Sequence, residues 1–158
     1  MIDALGLIAA VLICALAAAV GGVATAAAVR TWYPTLMKPR WNPPARLFGP
    51  VWSALYLMMA VSVWLVWRTR DATNVSVALG LFAVQLALNV LWSVLFFRLR
   101  RPGGALLDIG VLWIAILSTA VVFWPLDPIG SVLLLPYLAW VTFAAALNGS
   151  IFCLNRVA

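Results

Sequence analysis

Five apolar stretches, each long enough to cross a bilayer as an α-helix, follow one another along the chain. A spanning helix needs roughly 20 apolar residues, whereas a spanning strand has about ten and alternates apolar with polar positions. Clusters of proline, glycine and charge separate the stretches, which we assign to residues 4–29, 48–67, 77–97, 104–124 and 131–155. The sequence predicts an all-α integral membrane protein, with one domain over residues 1–158 built as a five-transmembrane-helix bundle.

Composition supports a membrane as the solvent for this bundle. The chain is 66% hydrophobic and only 9% charged, which leaves too little polar surface for an ordinary soluble domain. Five spans put the loop between the first two helices, the loop between the third and fourth, and the C-terminus at one end. That end carries most of the basic residues: Arg30, Lys38, Arg40, Arg46, Arg98, Arg100, Arg101 and Arg156. The positive-inside rule predicts a cytoplasmic C-terminus, and because orientation explains the net charge, we expect no nucleic-acid partner.

Residues suited to ordinary catalysis or metal binding are scarce. The chain has no histidine, and Cys14 and Cys153 lie far apart in apolar stretches, where packing explains them better than a redox pair. The sequence contains no paired carboxylates and no Ser/His/Asp set. We therefore expect no metal site and no required cofactor.

Polar and aromatic residues share one face on several predicted helices. In the third helix, the spacings of four, three and four place these residues on one face: Gln85, Asn89, Trp92 and Phe96. Comparable residues on the fifth and second helices are Tyr137, Trp140, Ala144, Asn148, Trp52 and Tyr56. At about 1.5 Å per residue the set lies between the cytoplasmic boundary and the bilayer midplane. Because polar side chains in hydrocarbon usually face the bundle interior or a cavity, the set predicts a ligand pocket.

The first loop, residues 30–47, lies above this predicted pocket. It reads RTWYPTLMKPRWNPPARL, and its four prolines make it stiff and non-helical. Trp32, Tyr33 and Trp41 give it an aromatic surface. We expect a structured lid; an aromatic belt at the membrane interface is the alternative interpretation of these three residues.

Most of the pocket residues also have a purely structural interpretation. Gln85, Asn89 and Asn148 can form interhelical hydrogen bonds worth about 0.6 kcal/mol each. Asp108, the only acid inside a predicted span, can snorkel or cap the start of its own helix instead of meeting a ligand. For Trp52 and Trp140, packing against neighbouring helices is the alternative to contact with a ligand.

A stripe of small residues runs along the first helix. Cys14, Ala18, Gly22 and Ala26 recur at four-residue spacing, and small side chains allow the close backbone approach that drives helix association in lipid. The stripe predicts a homodimer, with packing against another helix of the same chain as the alternative.

The combined pattern resembles a known family. From the first loop into the second helix the chain has Trp32-Tyr33, Leu36, Lys38-Pro39, Trp41-Asn42-Pro43-Pro44, Val51-Trp52 and Leu55-Tyr56. Later helices have Gln85-Leu86, Leu88-Asn89, Trp92, Phe96-Phe97, Leu107-Asp108, Pro136-Tyr137-Leu138-Ala139-Trp140 and Leu147-Asn148. In order and spacing, over nearly the whole chain, these residues resemble the TspO/MBR family of translocator proteins, in its bacterial form.

The resemblance implies a five-helix, commonly dimeric bundle whose pocket, beneath the first loop, accepts protoporphyrin, haem and other hydrophobic ligands. It implies a tetrapyrrole receptor or carrier in a bacterial cell membrane, with the pocket facing the cytoplasm. Together with the faces described above, it gives these expected ligand residues: Tyr33, Trp41, Asn42, Pro43, Pro44, Trp52, Tyr56, Gln85, Asn89, Trp92, Tyr137, Trp140, Ala144 and Asn148.

An enzyme and a structural membrane protein are the alternative functions. Some bacterial members of the family resemble photo-oxidative enzymes that degrade protoporphyrin with two pocket tryptophans, and Trp52 and Trp140 match those catalytic positions. The chain departs from the family pattern at Arg46 and Gly104, where aromatic residues are common in other members. The sterol motif of animal members is only imperfectly matched near Arg156, so a sterol is a less favoured ligand than a tetrapyrrole.

Overall fold

The computed structural model describes residues 2–70 and 72–156, and every regular element in these residues is helical. The α-helices are α1 (Ile2–Thr31), α2 (Phe48–Arg68), α3 (Val75–Ser93), α4 (Pro102–Phe123), α5 (Pro128–Val132) and α6 (Leu135–Asn155). Two short 3₁₀ turns, Tyr33–Thr35 and Ala45–Leu47, lie in the first loop. Five segments are long and apolar enough to cross a membrane, with α5 and α6 together forming the fifth. The predicted all-α, five-span fold is confirmed.

The helix ends differ from the predicted ones where proline or the turn geometry decides them. The third helix begins at Val75, after Asn74 in the left-handed region at φ 73°, and ends in a π-helical turn, Val94–Arg98. The fifth span, predicted as one helix over residues 131–155, is interrupted between α5 and α6. Pro136 has no N–H to donate to the carbonyl of residue 132, so the chain starts a new helix there.

The short α5 is fixed between α2 and α4 by hydrogen bonds. Asp127 accepts from the Gly130 N–H at 2.7 Å and caps the helix. The Ser62 hydroxyl donates to the Gly130 carbonyl at 2.6 Å, and the Ser131 hydroxyl donates to the Ala120 carbonyl at 2.7 Å. These buried bonds tie the start of the fifth span to two neighbouring helices.

The outward faces of the helices are apolar. Val23 and Leu107 are each 77% exposed, and Ile129 is 66% exposed. Burial of such side chains by lipid removes them from water, so the bilayer completes the packing that the bundle leaves open. We call the end of the bundle where α1 ends and α2 begins the basic end, because Arg30, Lys38 and the C-terminus of α6 lie there.

Gly130 is a direct test of the α2–α5 contact. A Cβ at this position would lie 3.0 Å from the Ser62 carbonyl oxygen and 3.3 Å from Val66 Cγ2. Gly130→Ala is expected to push α5 from α2 and to lower the free energy of unfolding by about 1–3 kcal/mol. Thermal unfolding in detergent, followed by circular dichroism, measures the change.

Gly110→Ala is the matched control. A Cβ at Gly110 has no neighbour within 4 Å among the described residues, and alanine is the better helix former. Its Tm should stay unchanged or rise. Equal Tm values for the two variants would contradict the close α2–α5 contact.

Candidate functional site

A cavity of about 460 Å³ lies between α1, α2, α3 and α6 near the basic end. Its walls are formed by the second half of α1, the start of α2, the end of α3 and the C-terminal half of α6. Of the predicted ligand residues, these line it: Tyr33, Trp52, Tyr56, Asn89, Trp92, Ala144 and Asn148. The cavity therefore brings together residues that are far apart in the sequence.

The other predicted residues lie around the cavity rather than in its described lining. Gln85 and Tyr137 are completely buried in the bundle. Trp140 packs against Phe48, which lines the cavity, with ring centroids 6.0 Å apart. The remaining predicted residues belong to the first loop: Trp41, Asn42, Pro43 and Pro44. Their contact with a ligand stays a prediction.

A chain of buried hydrogen bonds forms the inner end of the cavity. The Tyr56 hydroxyl donates to Asn89 Oδ1 at 2.6 Å, and Asn89 Nδ2 donates to the Tyr137 hydroxyl at 2.8 Å. These three side chains come from α2, α3 and α6 and are almost fully buried. Asn89 thus joins three helices, as its structural interpretation proposed, and it also lines the cavity.

A second hydrogen-bond chain fixes the wall nearer the basic end. Trp92 Nε1 donates to Asn148 Oδ1 at 3.1 Å, and Asn148 Nδ2 donates to the Pro102 carbonyl at 2.8 Å. The Trp92 ring stacks on Phe96, with centroids 5.5 Å apart and planes 23° apart. Because the polar edge of Trp92 is occupied, mainly its ring is available to a ligand.

The first loop covers the cavity and is internally bonded. The Tyr33 hydroxyl donates to Asn42 Oδ1 at 2.7 Å. Burial raises the pKa of Tyr33, so the hydroxyl keeps the proton that it donates. Lys38 Nζ donates to the carbonyls of Tyr33 at 2.8 Å and Leu36 at 2.7 Å. We call residues 33–44 the roof.

The roof is also attached to α6. Asn155 Oδ1 accepts from the Met37 N–H at 3.0 Å, and Asn155 Nδ2 donates to the Met37 carbonyl at 2.9 Å. Trp41 is 49% exposed and packs its ring edge on Phe143 of α6, with centroids 5.7 Å apart. The first loop is therefore structured, as expected, and it is held against α6 by these contacts.

The two inner tryptophans occupy different places. Trp52 lines the cavity and packs against Tyr56, with centroids 5.8 Å apart. Trp140 is outside the described lining and contacts Phe48, and its Nε1 is buried with no hydrogen-bond partner among the described residues. The sequence placed Trp52 near the cytoplasmic boundary and Trp140 near the bilayer midplane, but it did not predict that, of the two, Trp52 alone belongs to the described lining.

Asp108 lies inside α4, well past the first turn. The helix begins at Pro102 with Arg101 as its N-cap residue, so the proposal that Asp108 caps its own helix is wrong. The side chain is 8% exposed, and its Oδ2 has no hydrogen-bond partner within the part of the chain that the structure describes.

The small residues of α1 were not among the expected ligand residues, but they line the cavity together with Arg30. The basic side chain in the described lining is Arg30, at the last turn of α1. Ala18, Gly22 and Ala26 of the small-residue stripe also face the cavity. Their four-residue spacing was visible in the sequence, but it indicated helix contact rather than a pocket wall.

Comparison with known proteins finds a family model and several relatives that match most of the chain. The sequence model described as the TspO/MBR family matches residues 10–154. Protein CrtK of Rhodobacter capsulatus is 40% identical over 143 residues, covering 90% of this chain and 88% of the relative. The tryptophan-rich protein TspO of Chlorobaculum tepidum is 46% identical over 125 residues, covering 78% and 79%. The human translocator protein is 41% identical over 127 residues, covering 79% and 73%.

Removal of the Tyr56 hydroxyl tests whether the inner hydrogen-bond chain holds the cavity together. Tyr56→Phe leaves Asn89 Oδ1 buried without its donor and should lower the free energy of unfolding by about 0.6–1.7 kcal/mol. Ser53→Ala is the control, because the Ser53 hydroxyl donates only to the Gly49 carbonyl of its own helix. Thermal unfolding of the ligand-free protein should show a larger loss of stability in Tyr56→Phe than in Ser53→Ala. Equal losses of stability would contradict the structural role of the inner hydrogen-bond chain.

Proposed function

The chain belongs to the TspO/MBR family, and we propose that it is a membrane receptor or carrier that binds a tetrapyrrole, protoporphyrin or haem, in the cavity under the roof. The observation that carries this proposal is the combination of several aromatic rings with a single lining cation, Arg30, in one cavity. Its volume of about 460 Å³ falls within the range of small-molecule pockets. Other hydrophobic ligands, sterols included, would compete for the same space.

The aromatic lining fits a flat ring system. Trp52, Trp92 and Phe96 contribute rings from α2 and from the end of α3, and Tyr33 and Phe48 close the cavity toward the roof. Aromatic pairs gain energy from offset stacking and edge-to-face contact beyond the burial of their area. A planar, polarisable ligand therefore gains more from this lining than a flexible alkyl chain of the same volume.

Charge at the cavity fits a ligand with carboxylate arms. The ammonium group of Lys38 already donates to carbonyls of the roof. Arg30 lines the cavity, and its guanidinium can bind a carboxylate through two parallel hydrogen bonds. We assign the contact with a propionate to Arg30.

The side chains around the cavity favour a metal-free ring at least as much as haem. The chain has no histidine, and Cys14 is outside the described lining. The hydroxyls of Tyr33 and Tyr56 are engaged with asparagine amides. Strong axial ligation of iron would require one of these bonds to break.

The same proposal includes the setting of the protein. The concentration of arginine and lysine at one end supports a cytoplasmic location of the basic end and the C-terminus in a bacterial cell. A homodimer in that membrane would associate through small residues of α1 that do not face the cavity.

A second candidate function is light-dependent degradation of protoporphyrin, and the position of Trp52 in the cavity lining favours it. Illumination of the purified protein with protoporphyrin in air distinguishes the two. A new absorption band that requires light, the protein and Trp52 supports an enzyme. Bleaching that is equal in the wild type and Trp52→Phe supports a receptor or carrier, which is the result we expect.

Arg30→Gln tests the proposed ligand chemistry. The loss of one partly solvated charge pair should weaken protoporphyrin binding by up to about fivefold. Binding of the protoporphyrin dimethyl ester, which lacks carboxylates, should not change. Arg40→Gln is the control, because Arg40 is an exposed roof residue outside the described lining. Fluorescence titration measures both ligands; equal weakening of acid and ester by Arg30→Gln would contradict the assignment.

A further inference from the structure

The cavity is covered toward the basic end, but it is open at its side between α1 and α2. We infer that its ligand passes through this side opening, directly from the lipid leaflet at the basic end, and does not pass through the roof. The inference rests on the proposed function, because it describes how the same cavity is filled. It also restricts the ligand class to molecules that dissolve in that leaflet.

The opening is visible in residues that are exposed on the outside of the bundle and also line the cavity. Gly22 and Ala26 of α1 and Gly49 and Ser53 of α2 meet both conditions, as do Arg30 in the last turn of α1 and Ala45 just before α2. A Cβ built on Gly22 or on Gly49 meets no atom within 4 Å among the described residues. The gap between the two helices is therefore lined by small side chains.

The opposite wall is closed. The residues that α6 contributes to the cavity, Ala144, Leu147 and Asn148 among them, are buried. On α3, Asn89 and Trp92 are buried as well, and both are hydrogen-bonded to other helices. A ligand therefore has no comparable side route between α3 and α6.

Contacts at the other end of α1 and α2 explain why the gap lies near the basic end. There, a Cβ on Gly6 would overlap the Trp67 ring, and Trp64 Nε1 donates to the Asp3 carbonyl at 2.9 Å. The two helices are thus in tight contact far from the roof, and a cavity separates them near it. Gly22 lies nine residues before the end of α1, or about 14 Å along the axis, which places it at the depth of lipid chains.

The roof offers no equivalent opening. Its backbone at Met37 is bonded twice to Asn155, and Lys38 and Asn42 bind groups within the roof itself. Passage toward the cytoplasm would break several of these bonds together, whereas passage between α1 and α2 breaks none of them.

The opening suits a flat amphipathic molecule with an anionic edge. Small side chains let a thin ring system pass edge-on, and Arg30 lies at the end of α1, near the level of lipid headgroups. A carboxylate held at that level can reach Arg30 while the apolar part of the ring enters the cavity. A water-soluble ligand without apolar surface would not reach the opening.

Binding kinetics of protoporphyrin IX, added to lipid nanodiscs that contain the protein, test this route. Gly49→Phe and, independently, Gly22→Phe add bulk at the gap, where a Cβ at either position meets no described atom within 4 Å. We expect about tenfold slower association and dissociation, equivalent to a barrier higher by about 1.4 kcal/mol, with a much smaller change in Kd. Ala54→Phe and Ala27→Phe are matched controls, because both positions are exposed on the same helices outside the described lining.

A roof variant separates the two routes. Asn155→Ala removes the bonds to Met37, and we expect it to leave both rate constants unchanged. Faster binding by Asn155→Ala, or wild-type rates in both phenylalanine variants at the gap, would overturn the side route while the proposed function stands. Absence of protoporphyrin binding by the wild type would instead overturn the proposed function, and the route with it.

Discussion

An amide buried in a membrane protein must find its hydrogen-bond partners inside the protein, and in this bundle that requirement positions the cavity. Asn89 accepts from Tyr56 and donates to Tyr137, so one side chain of α3 fixes the relative position of α2 and α6. Asn148 of α6 accepts from Trp92 of α3 and donates to the Pro102 carbonyl at the start of α4, so it fixes the relative position of these two helices. Unmade bonds of this kind are costly in hydrocarbon, so these hydrogen bonds fix the distances between the helices at the depth where the amides lie. The space that remains between them and α1 is the cavity.

The first loop covers the cavity, and two of its polar side chains, Lys38 and Asn42, form hydrogen bonds within the loop. The polar groups that make these bonds are therefore not available to a ligand. Lys38 binds roof carbonyls and lies 5.0 Å from the Tyr33 ring centroid, and Asn42 binds the Tyr33 hydroxyl. Arg30 is left at the cavity edge, where helix α1 ends. Lys38 therefore has a structural role, and Arg30 is the cation in the described lining. A contact with Arg30 would orient a ligand that stacking alone would leave free to rotate.

Helical periodicity predicted much of this arrangement from the sequence, because it reports which residues share a face and at what depth. The spans and the common face of Asn89 and Trp92 follow from that information. Periodicity says nothing about tilt or about which helix faces which. For that reason it did not distinguish Trp52, which lines the cavity, from Trp140, which contacts Phe48 and is outside the described lining. The small-residue stripe of α1 was ambiguous for the same reason. Gly22 suits a helix contact or a cavity wall equally well until the position of the neighbouring helix is known.

A structure of the protein with protoporphyrin bound is the most direct test of the central claim, that the cavity under the roof is a tetrapyrrole site. We expect electron density for the porphyrin ring between Trp52 and Trp92, with a carboxylate at Arg30. The hydrogen bonds from Asn89 to Tyr56 and Tyr137 should be intact. A porphyrin bound on the outer surface of the roof against Trp41, with the cavity lining unchanged and empty of ligand, would contradict it.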